Sequence, residues 1–476
     1  MNHQEETSQA IARILNADSV AIVGASNDPR KFGYMTLDSL IKGGFQGRIH
    51  PVNSKGGQVL GLPAFQSVSD IPEPIDVALI VVPVKFIPSI LPQVAAKGAA
   101  GAIVCSGGFG EAGRPDLERE MVRTARELGL RLLGPNISGI AYLPNRMCAQ
   151  FFPVLTRPGP LAVVSQSGTV TNGLCEWATE EGLGISAGIN LGNQADLCES
   201  DYLDFFAQEE STRAIVLYLE GVRDGRRFLE TLKRTTSRKP VTVIKGGRTE
   251  AGQRSTASHT ASLASDHKVF AAACRQCGAY LAEDVETAFD AVKAQATMRP
   301  PQGNRLLCIS TSGGANTLAM DAVDRWGLEV PLLPGKLVEE LKGLGLSPLA
   351  DFSNPVDLVS LDPEDFKKVA LAVARHDLFD VLLINFGDPV PEDLELIRFL
   401  EAELEAGLAI SYFAGGEQEK EGRVRIQAAG YPVFPAPERA IRGISAKVWE
   451  TSFQRSRGKE RAVGSITTMD QAEKEG

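Results

Sequence analysis

The sequence is short of positive charge, of cysteine and of long apolar runs, and each shortage excludes something. Its 476 residues carry 49 Lys and Arg against 59 Asp and Glu, a net charge of -10. A surface that grips nucleic acid concentrates cations against the phosphate backbone, so this balance argues against that class. Small anions stay within reach, because a helix N-terminus and a few placed cations can hold them in an acidic protein. No stretch approaches the roughly 18 apolar residues of a membrane-spanning helix. The first residues, MNHQEETSQAIARILN, are polar and amphipathic, unlike a signal peptide. Seven scattered cysteines predict reduced thiols and a cytoplasmic location. Cys274 and Cys277 have C-x-x-C spacing, but within the helical pattern VFAAACRQCGAYL and with no second Cys or His pair nearby, so no metal site is expected.

What the chain has in quantity is one repeated unit: an apolar run, a Gly-rich turn and an amphipathic helix. That is the pattern of parallel α/β domains, and this length suggests about three of them. The first series has strands at 19–26, 47–53, 76–83, 101–107 and 130–136, with helices at 32–43, 85–97 and 114–128. It reads as a Rossmann-like domain. The hinge TRPGP (156–160) opens a second series with strands at 161–167, 214–220 and 240–246, and MRPPQGN (298–304) closes it. A third has strands at 305–312, 379–386, 408–415 and 431–436, and the polar end after 450 is expected to be disordered.

LAVVSQSGTVTNGL (161–174) and LLCISTSGGANTLA (306–319) echo one another. Each is a strand, then S-x-S-G, then a helix, with Ser165, Ser167 and Gly168 matching Ser310, Ser312 and Gly313. Free backbone N–H groups and a helix dipole at such a turn make an anion seat. Either turn alone is equally well an N-capped helix; the repetition favours a shared anionic ligand.

In GASNDPRKFG (24–33) the second and third glycines of a dinucleotide fingerprint are missing. Gly24 permits a tight turn, Ser26 can cap or bind phosphate, and Arg30 and Lys31 bring two cations to the region of a pyrophosphate. A carboxylate at the end of the next strand would take the ribose hydroxyls of NAD; Asn53 and Lys55 stand there instead, which suits a ribose phosphate as in CoA or NADP.

Of five histidines, His3, His267 and His376 fit exposed positions and His50 a packed strand. His259 differs. It lies in KGGRTEAGQRSTASHTASLASDH (245–267), a long run of small and polar residues unable to form a core, and long loops of this kind are often functional. A nucleophilic imidazole needs an orienting carboxylate, and Glu220 ends the strand LYLEG at the edge where α/β active sites collect. A solvated loop histidine remains the other reading of the residues.

Taken in order, VAIVGASNDPRKFGY, GGFQGRIHPVN, ALIVVPVKFIP, GFGEAG, LLGPN, VSQSGT, LGNQAD, LYLEGVRDGRRF, KGGRTEAGQRSTASHTASLA, GGANTLAMDA and SNPVDL resemble the ADP-forming (NDP-forming) acyl-CoA synthetases, relatives of succinyl-CoA synthetase, over residues 17 to 450. The resemblance implies a Rossmann-like CoA-binding domain (1–145), a flavodoxin-like domain carrying a phosphohistidine (146–300), a second flavodoxin-like domain (301–450) and a tail (451–476). It implies reversible conversion of acyl-CoA, ADP and phosphate to acid, CoA and ATP through acyl phosphate and phospho-His259. Glu220 matches the glutamate that steadies phosphohistidine. Ser165, Gln166, Ser167, Gly168 and Thr169, with Ser312, Gly313, Gly314 and Ala315, match the two phosphate-binding helix starts. Gly24, Ser26, Asn53, Lys55, Val82, Pro83 and Ser106 fall where the family holds coenzyme A, and Asn136 near its pantetheine end. The third unit has STSGGAN where the family often has N-A-G-G-P-G, and GPN continues as ISGIAYLP, which leaves the acyl group open. By this resemblance the residues after 450 are too few to be expected to hold the ATP-grasp domain that some family members fuse. The chain therefore resembles the separate α subunit, with Mg-ADP or Mg-ATP held by an ATP-grasp β subunit in an α2β2 assembly. The competing expectations are a non-catalytic CoA-binding regulator and an NAD(P)-dependent oxidoreductase.

Overall fold

Strands buried on both faces of a parallel sheet need continuous apolar runs, and the chain supplies three sheets of them. The computed structural model describes residues 3–152, 157–260, 266–391, 393–413 and 415–472, with backbone alone for 3, 257–260 and 458–472. The chain divides into two compact units, Met1–Glu180 with Gly184–Glu283, and Glu181–Leu183 with Asp284–Gly476.

The first unit opens with α1 (His3–Leu15), β1 (Ser19–Val23), α2 (Phe32–Lys42), β2 (Arg48–Val52), the small hairpin β3 (Gln58–Val59) and β4 (Leu62–Pro63), β5 (Val77–Ile80), α3 (Ile87–Ala96), β6 (Gly101–Val104), α4 (Pro115–Glu127) and β7 (Arg131–Leu133). Its first sheet has the order β2-β1-β5-β6-β7, all parallel. Strand order reverses between β1 and β5, so a crevice opens beyond their carboxyl ends. The five residues of β1, SVAIV, are all buried.

The second sheet is built from β8 (Gly139–Tyr142), β9 (Met147–Gln150), β10 (Pro158–Ser165), β11 (Ile185–Asn190), β12 (Ala214–Leu219), β13 (Val241–Lys245) and β14 (Tyr280–Ala282). Its helices are α5 (Gly168–Glu180), α6 (Glu199–Phe206), α7 (Gly225–Thr236), α8 (Glu250–Thr260) and α9 (His267–Cys277). The order β14-β13-β12-β10-β11-β8-β9 places a second switch point between β10 and β12, with β8 antiparallel to β11 and β9. The boundary expected at 145 therefore falls inside the β8–β9 hairpin. Ile140, Ala141 and Tyr142 pair with Ile189, Gly188 and Ala187, so these apolar residues complete the second sheet. Asp196 joins the two sheets: its buried carboxylate accepts from Arg126 and Arg131, each at 2.8 Å, and from the Leu132 N–H at 2.9 Å.

The second unit holds β15 (Leu306–Ser310), β16 (Val356–Asp357), β17 (Val381–Phe386), β18 (Gly407–Tyr412) and β19 (Val433–Phe434), all parallel in the order β16-β15-β17-β18-β19. Its helices are α10 (Val285–Thr297), α11 (Gly313–Trp326), α12 (Gly335–Lys342), α13 (Pro363–Ala374), α14 (Asp393–Glu403), α15 (Gly416–Ala428) and α16 (Pro437–Ala472). The expected boundary at 300 placed α10 with the second sheet. Instead the buried Asp290 of α10 pairs with Arg439 of α16 at 2.7 Å and with Arg442, and Ala294 packs with Ile441 and Ile444. The tail expected to be disordered from 451 differs too. The α16 backbone continues to Ala472, Glu450 and Thr451 are buried, and Arg455 donates to Gln302 Oε1 at 2.8 Å. Its Arg, Lys, Glu and Gln residues are polar, but they, like its Ala residues, are good helix formers that extend a helix already anchored by packing.

Candidate active site

A cleft of about 620 Å³ lies at the first switch point, with Gly24, Ser26, Lys31, Asn53, Val82 and Pro83 in its wall. Gly24 has φ +101°, and a Cβ there would lie 2.7 Å from the Val81 carbonyl oxygen. A Cβ on Gly33 would meet the Gly24 carbonyl oxygen at 2.0 Å. The fingerprint is rearranged, yet its two uses of glycine survive: a tight turn and a helix start close to it. Bare backbone, the Ser26 hydroxyl and the Lys31 ammonium suit the phosphates of a nucleotide such as CoA. Ser26 Oγ accepts from the Asp28 N–H at 3.0 Å.

Arg30, Lys55, Ser106 and Asn136, also expected to hold CoA, are not among the residues lining this cleft. Arg30 does not line the cleft; it pairs with Asp28 at 3.0 Å and its side chain is 88% exposed. Lys55 is exposed and also outside the lining, its N–H donating to Asn53 Oδ1 at 2.9 Å. Ser106 Oγ donates at 2.5 Å to the carbonyl of Val82, itself a lining residue. Asn136, at φ +61°, donates to Asn193 Oδ1 at 3.3 Å. Asn53 is itself a brace, its amide donating to the Ala25 carbonyl at 2.7 Å.

The second switch point gathers Glu220 and the first S-x-S-G turn. Ser165 Oγ donates to the Ser167 carbonyl at 2.9 Å and accepts the Ser167 N–H at 3.0 Å; Ser167 Oγ then takes the Val170 N–H at 3.4 Å. The Gly168 and Thr169 amides stand in the first turn of α5, where N–H groups have no intrahelical acceptor. Gly168 is required there, since a Cβ would sit 2.7 Å from Ser138 Oγ. Asn190 fixes that neighbour, accepting from the Ser138 N–H at 2.8 Å and donating to the Ser165 carbonyl at 3.1 Å. Gln166 turns toward Glu220 instead of the turn's mouth. Its Oε1 accepts the N–H groups of Glu220 and, at 3.1 Å, Gly221, while its Nε2 donates to the Gly221 carbonyl at 3.1 Å.

Glu220 is 7% exposed. Its Oε1 accepts from the Tyr218 hydroxyl at 3.3 Å, while Oε2 is buried with no partner among the described residues. Burial, reinforced by the adjacent carboxylate, pushes the Tyr218 hydroxyl up to about 12, so it stays a donor. Lys245 Nζ donates to the Glu220 carbonyl at 2.7 Å, and burial lowers the ammonium pKa against the pull of Glu220.

His259 was expected in an irregular loop; its backbone lies in the last turn of α8, and its side chain and residues 261–265 are outside the described residues. The local reason is a start signal at Thr249, whose Oγ1 accepts the Gly252 N–H at 3.1 Å and whose carbonyl accepts the Gln253 N–H at 2.8 Å. Glu250, Ala251, Gln253 and Arg254 then favour helix. Helix α8 lies against the 3-10 turn Gly110–Ala112. His267, expected to be exposed, is half-buried, with Nδ1 unpartnered among the described residues. Burial lowers its pKa, assisted by Arg248 and Lys245.

The second turn repeats the first bond for bond. Ser310 Oγ donates to the Ser312 carbonyl at 3.0 Å and accepts the Ser312 N–H at 2.8 Å; Ser312 Oγ takes the Ala315 N–H at 3.4 Å. Gly313 and Gly314 therefore stand where Gly168 and Thr169 stand in α5. Sequence reasoning missed Asn385 and Ser411, which pair in register beside Ser310. Both are fully buried, and the Asn385 amide and the Ser411 hydroxyl have no partners among the described residues. Polar residues at the ends of LLINF and LAISY were the available signal. Lys245 was missed as well, although a lysine closing the apolar run VTVI is unusual for a buried strand. Among the described residues no helix is long and apolar enough to cross a membrane.

Known proteins resemble this chain in the same parts. A CoA binding domain model matches residues 18–143, and a succinyl-CoA ligase like flavodoxin domain model matches residues 158–295. The chain is 38% identical to the alpha subunit of ADP-forming acetate–CoA ligase I from Pyrococcus furiosus, over 92% of this chain and 97% of that one. It is 35% identical to ADP-forming acetate–CoA ligase I from Archaeoglobus fulgidus, over 91% of this chain and 62% of that one. A solved structure of dinucleotide forming acetyl-coenzyme A synthetase 1 from Ca. Korarchaeum cryptofilum, in complex with phosphate and ADP, matches with a TM-score of 0.86 at 34% identity, covering 94% of this chain and 97% of that chain.

Proposed function

The chain belongs to the family of ADP-forming acyl-CoA ligases, on the side of their α subunits, and from that premise we propose how its own residues carry the reaction. The ligase interconverts acyl-CoA, ADP and phosphate with carboxylic acid, CoA and ATP. In the direction of ATP synthesis a phosphate oxygen attacks the thioester carbonyl, the C–S bond breaks and CoA leaves as its thiol. The imidazole of His259 then attacks phosphorus, the P–O bond to the carboxylate breaks, and the free acid departs. The P–N bond breaks in turn as ADP accepts the phosphoryl group.

The observation that carries this reading is Oε2 of Glu220, buried and without a partner among the described residues. A carboxylate oxygen left without a donor is costly, and an imidazole N–H is the donor that would satisfy it. Accepting that proton's hydrogen bond raises the nucleophilicity of the other ring nitrogen and steadies the phosphorylated, cationic ring. Gln166 ties the carboxylate's strand to the α5 turn. The amides of Gly168 and Thr169, and those of Gly313, Gly314 and Ala315, are suited to phosphoryl oxygens, with Ser165, Ser167 and Ser312 holding the turns in shape. Gly24, Ser26, Lys31, Asn53, Val82 and Pro83 form the CoA cleft, and Asn136 serves its pantetheine end.

A partner subunit goes with the α-type part. We assign it an ATP-grasp fold holding Mg-ADP or Mg-ATP, in an α2β2 assembly; the Archaeoglobus relative, of which this chain matches 62%, has length to spare for such a part. Against an NAD-linked oxidoreductase stands Asn53, whose amide is committed to the Ala25 carbonyl where a ribose-binding carboxylate would be needed. The test is intact-mass analysis after incubation with acyl-CoA and phosphate. A phosphoryl adduct is expected on the wild-type chain and none on His259→Asn. No adduct on wild type, or an equal one on the variant, overturns the assignment.

A further inference from the structure

Two carboxylates of the first unit meet on one side-chain amide. Asn193 Nδ2 donates to Glu111 Oε2 at 2.5 Å and to Glu118 Oε2 at 2.9 Å, while Asn193 Oδ1 accepts from Asn136 at 3.3 Å. Arg223, three residues beyond Glu220, donates to Glu118 Oε1 at 3.1 Å and to the Asn193 carbonyl at 2.7 Å. Glu111 Oε1 accepts the N–H groups of Gly108 and, at 3.2 Å, Phe109. Burial works against the Glu111 charge, yet these neutral donors keep its pKa below the usual carboxylate range. Gln194, next to Asn193 in the chain, has φ +53°. Left-handed backbone at such a residue is strained, and strain of this kind collects at functional sites.

The turn that Glu111 holds, 107–113, links two parts of the proposed site. It follows Ser106, whose hydroxyl bonds the carbonyl of Val82 in the cleft wall. At Gly110–Ala112 helix α8 lies against it, and the last turn of α8 carries the His259 backbone. Gly107, Gly108, Gly110 and Gly113 leave this turn little shape of its own; the Glu111 carboxylate supplies it. We propose that Asn193 and Glu111 are positioning residues for phosphorylation of His259. They fix the turn on which α8 rests and, through Arg223, refer it to the segment that follows Glu220. The inference rests on the CoA-ligase reading above.

The test, on the full chain, is the time course of the phosphoryl adduct at saturating acyl-CoA and phosphate, with CoA affinity by calorimetry. Asn193→Asp sets a third carboxylate against the other two. The adduct should form about 100-fold more slowly, the order of cost of a misplacement of about an ångström, with CoA affinity within about twofold of wild type. In Asn193→Asp/Glu111→Gln the glutamine Oε1 keeps the Gly108 and Phe109 bonds and its Nε2 donates to the new acid. The pair should therefore recover at least about tenfold of the lost rate. Glu111→Gln alone carries the test if Asn193→Asp does not fold: adduct formation should slow about tenfold at unchanged CoA affinity. Wild-type rates in the single variants, parallel losses of rate and CoA affinity, or a double variant no faster than Asn193→Asp would each overturn the inference and leave the network a scaffold. No adduct on the wild-type chain means instead that the ligase reading itself has failed.

Discussion

Replacing Glu220 with Gln should stabilise the chain while disabling it. The wild-type carboxylate is 7% exposed, with one donor, the Tyr218 hydroxyl at 3.3 Å, on Oε1 and none among the described residues on Oε2. An unsatisfied buried group costs about 1–3 kcal/mol, more when charged. Glutamine keeps the shape and the Oε1 acceptor and removes the charge; its NH2 remains under-satisfied, so the net gain is about 1 kcal/mol. For a unit of this size that raises Tm by roughly 2–4 °C. On the proposed reading the same change also removes the acceptor for the imidazole N–H, and adduct formation on His259 should slow by at least about 100-fold. The pair of measurements is a thermal melt and a time course of the phosphoryl adduct by intact mass. Active sites often trade stability for function in this way. A lower Tm in Glu220→Gln together with an undiminished adduct rate would refute the reasoning, because it would make Glu220 a structural carboxylate satisfied by its surroundings.

Three further outcomes are expected. Lys31→Ala should weaken CoA binding about tenfold by calorimetry, since Lys31 is a cation lining the cleft, whereas Arg30→Ala should change it by less than about twofold, being already paired with Asp28 at the surface. Gly168→Ala forces a Cβ to within 2.7 Å of Ser138 Oγ; it should cost about 1–3 kcal/mol in urea unfolding and displace the α5 amides enough to reduce the adduct. Acid should also destabilise the first unit. Burial lowers the pKa of His50, Arg48 adding to it and Glu73 opposing, and burial lowers that of His267. The unfolded chain therefore binds protons more readily, so the stability present above about pH 6.5 is lost as pH falls below it. Melts from pH 7.5 to 5.5 should show the decline, and His50→Gln should flatten part of it.

The recurrence of apolar run, Gly turn and helix was enough to announce three mostly parallel sheets, because strands buried on both faces leave a signal that does not depend on their neighbours. SVAIV, VALI, VLYL and VLLINF are of this kind. The two S-x-S-G turns were equally legible, since a serine two residues before a helix start makes its bonds within a few residues. Glu220 was placed by its position at the end of a strand. The hairpin β8–β9 and strand β11 were not visible: GIAY and ISAGIN carry small residues and glycine, and they become strands through pairing with each other's edges. Helix α10 looks the same whichever sheet it serves, and Asp290 beside Arg439 and Arg442, about 150 positions away, decides the matter. Arg30 and Lys31 are adjacent cations in sequence; their separation into a surface pair and a cleft residue depends on Asp28 and on how Gly33 packs against Gly24. Sequence by itself determined what is made of local bonds and continuous burial: the strands, the turns, and the residue types at their ends. Tertiary structure alone decided which of those ends meet, because pairing, switch points and buried charges join residues whose distance along the chain carries no information about their distance in space.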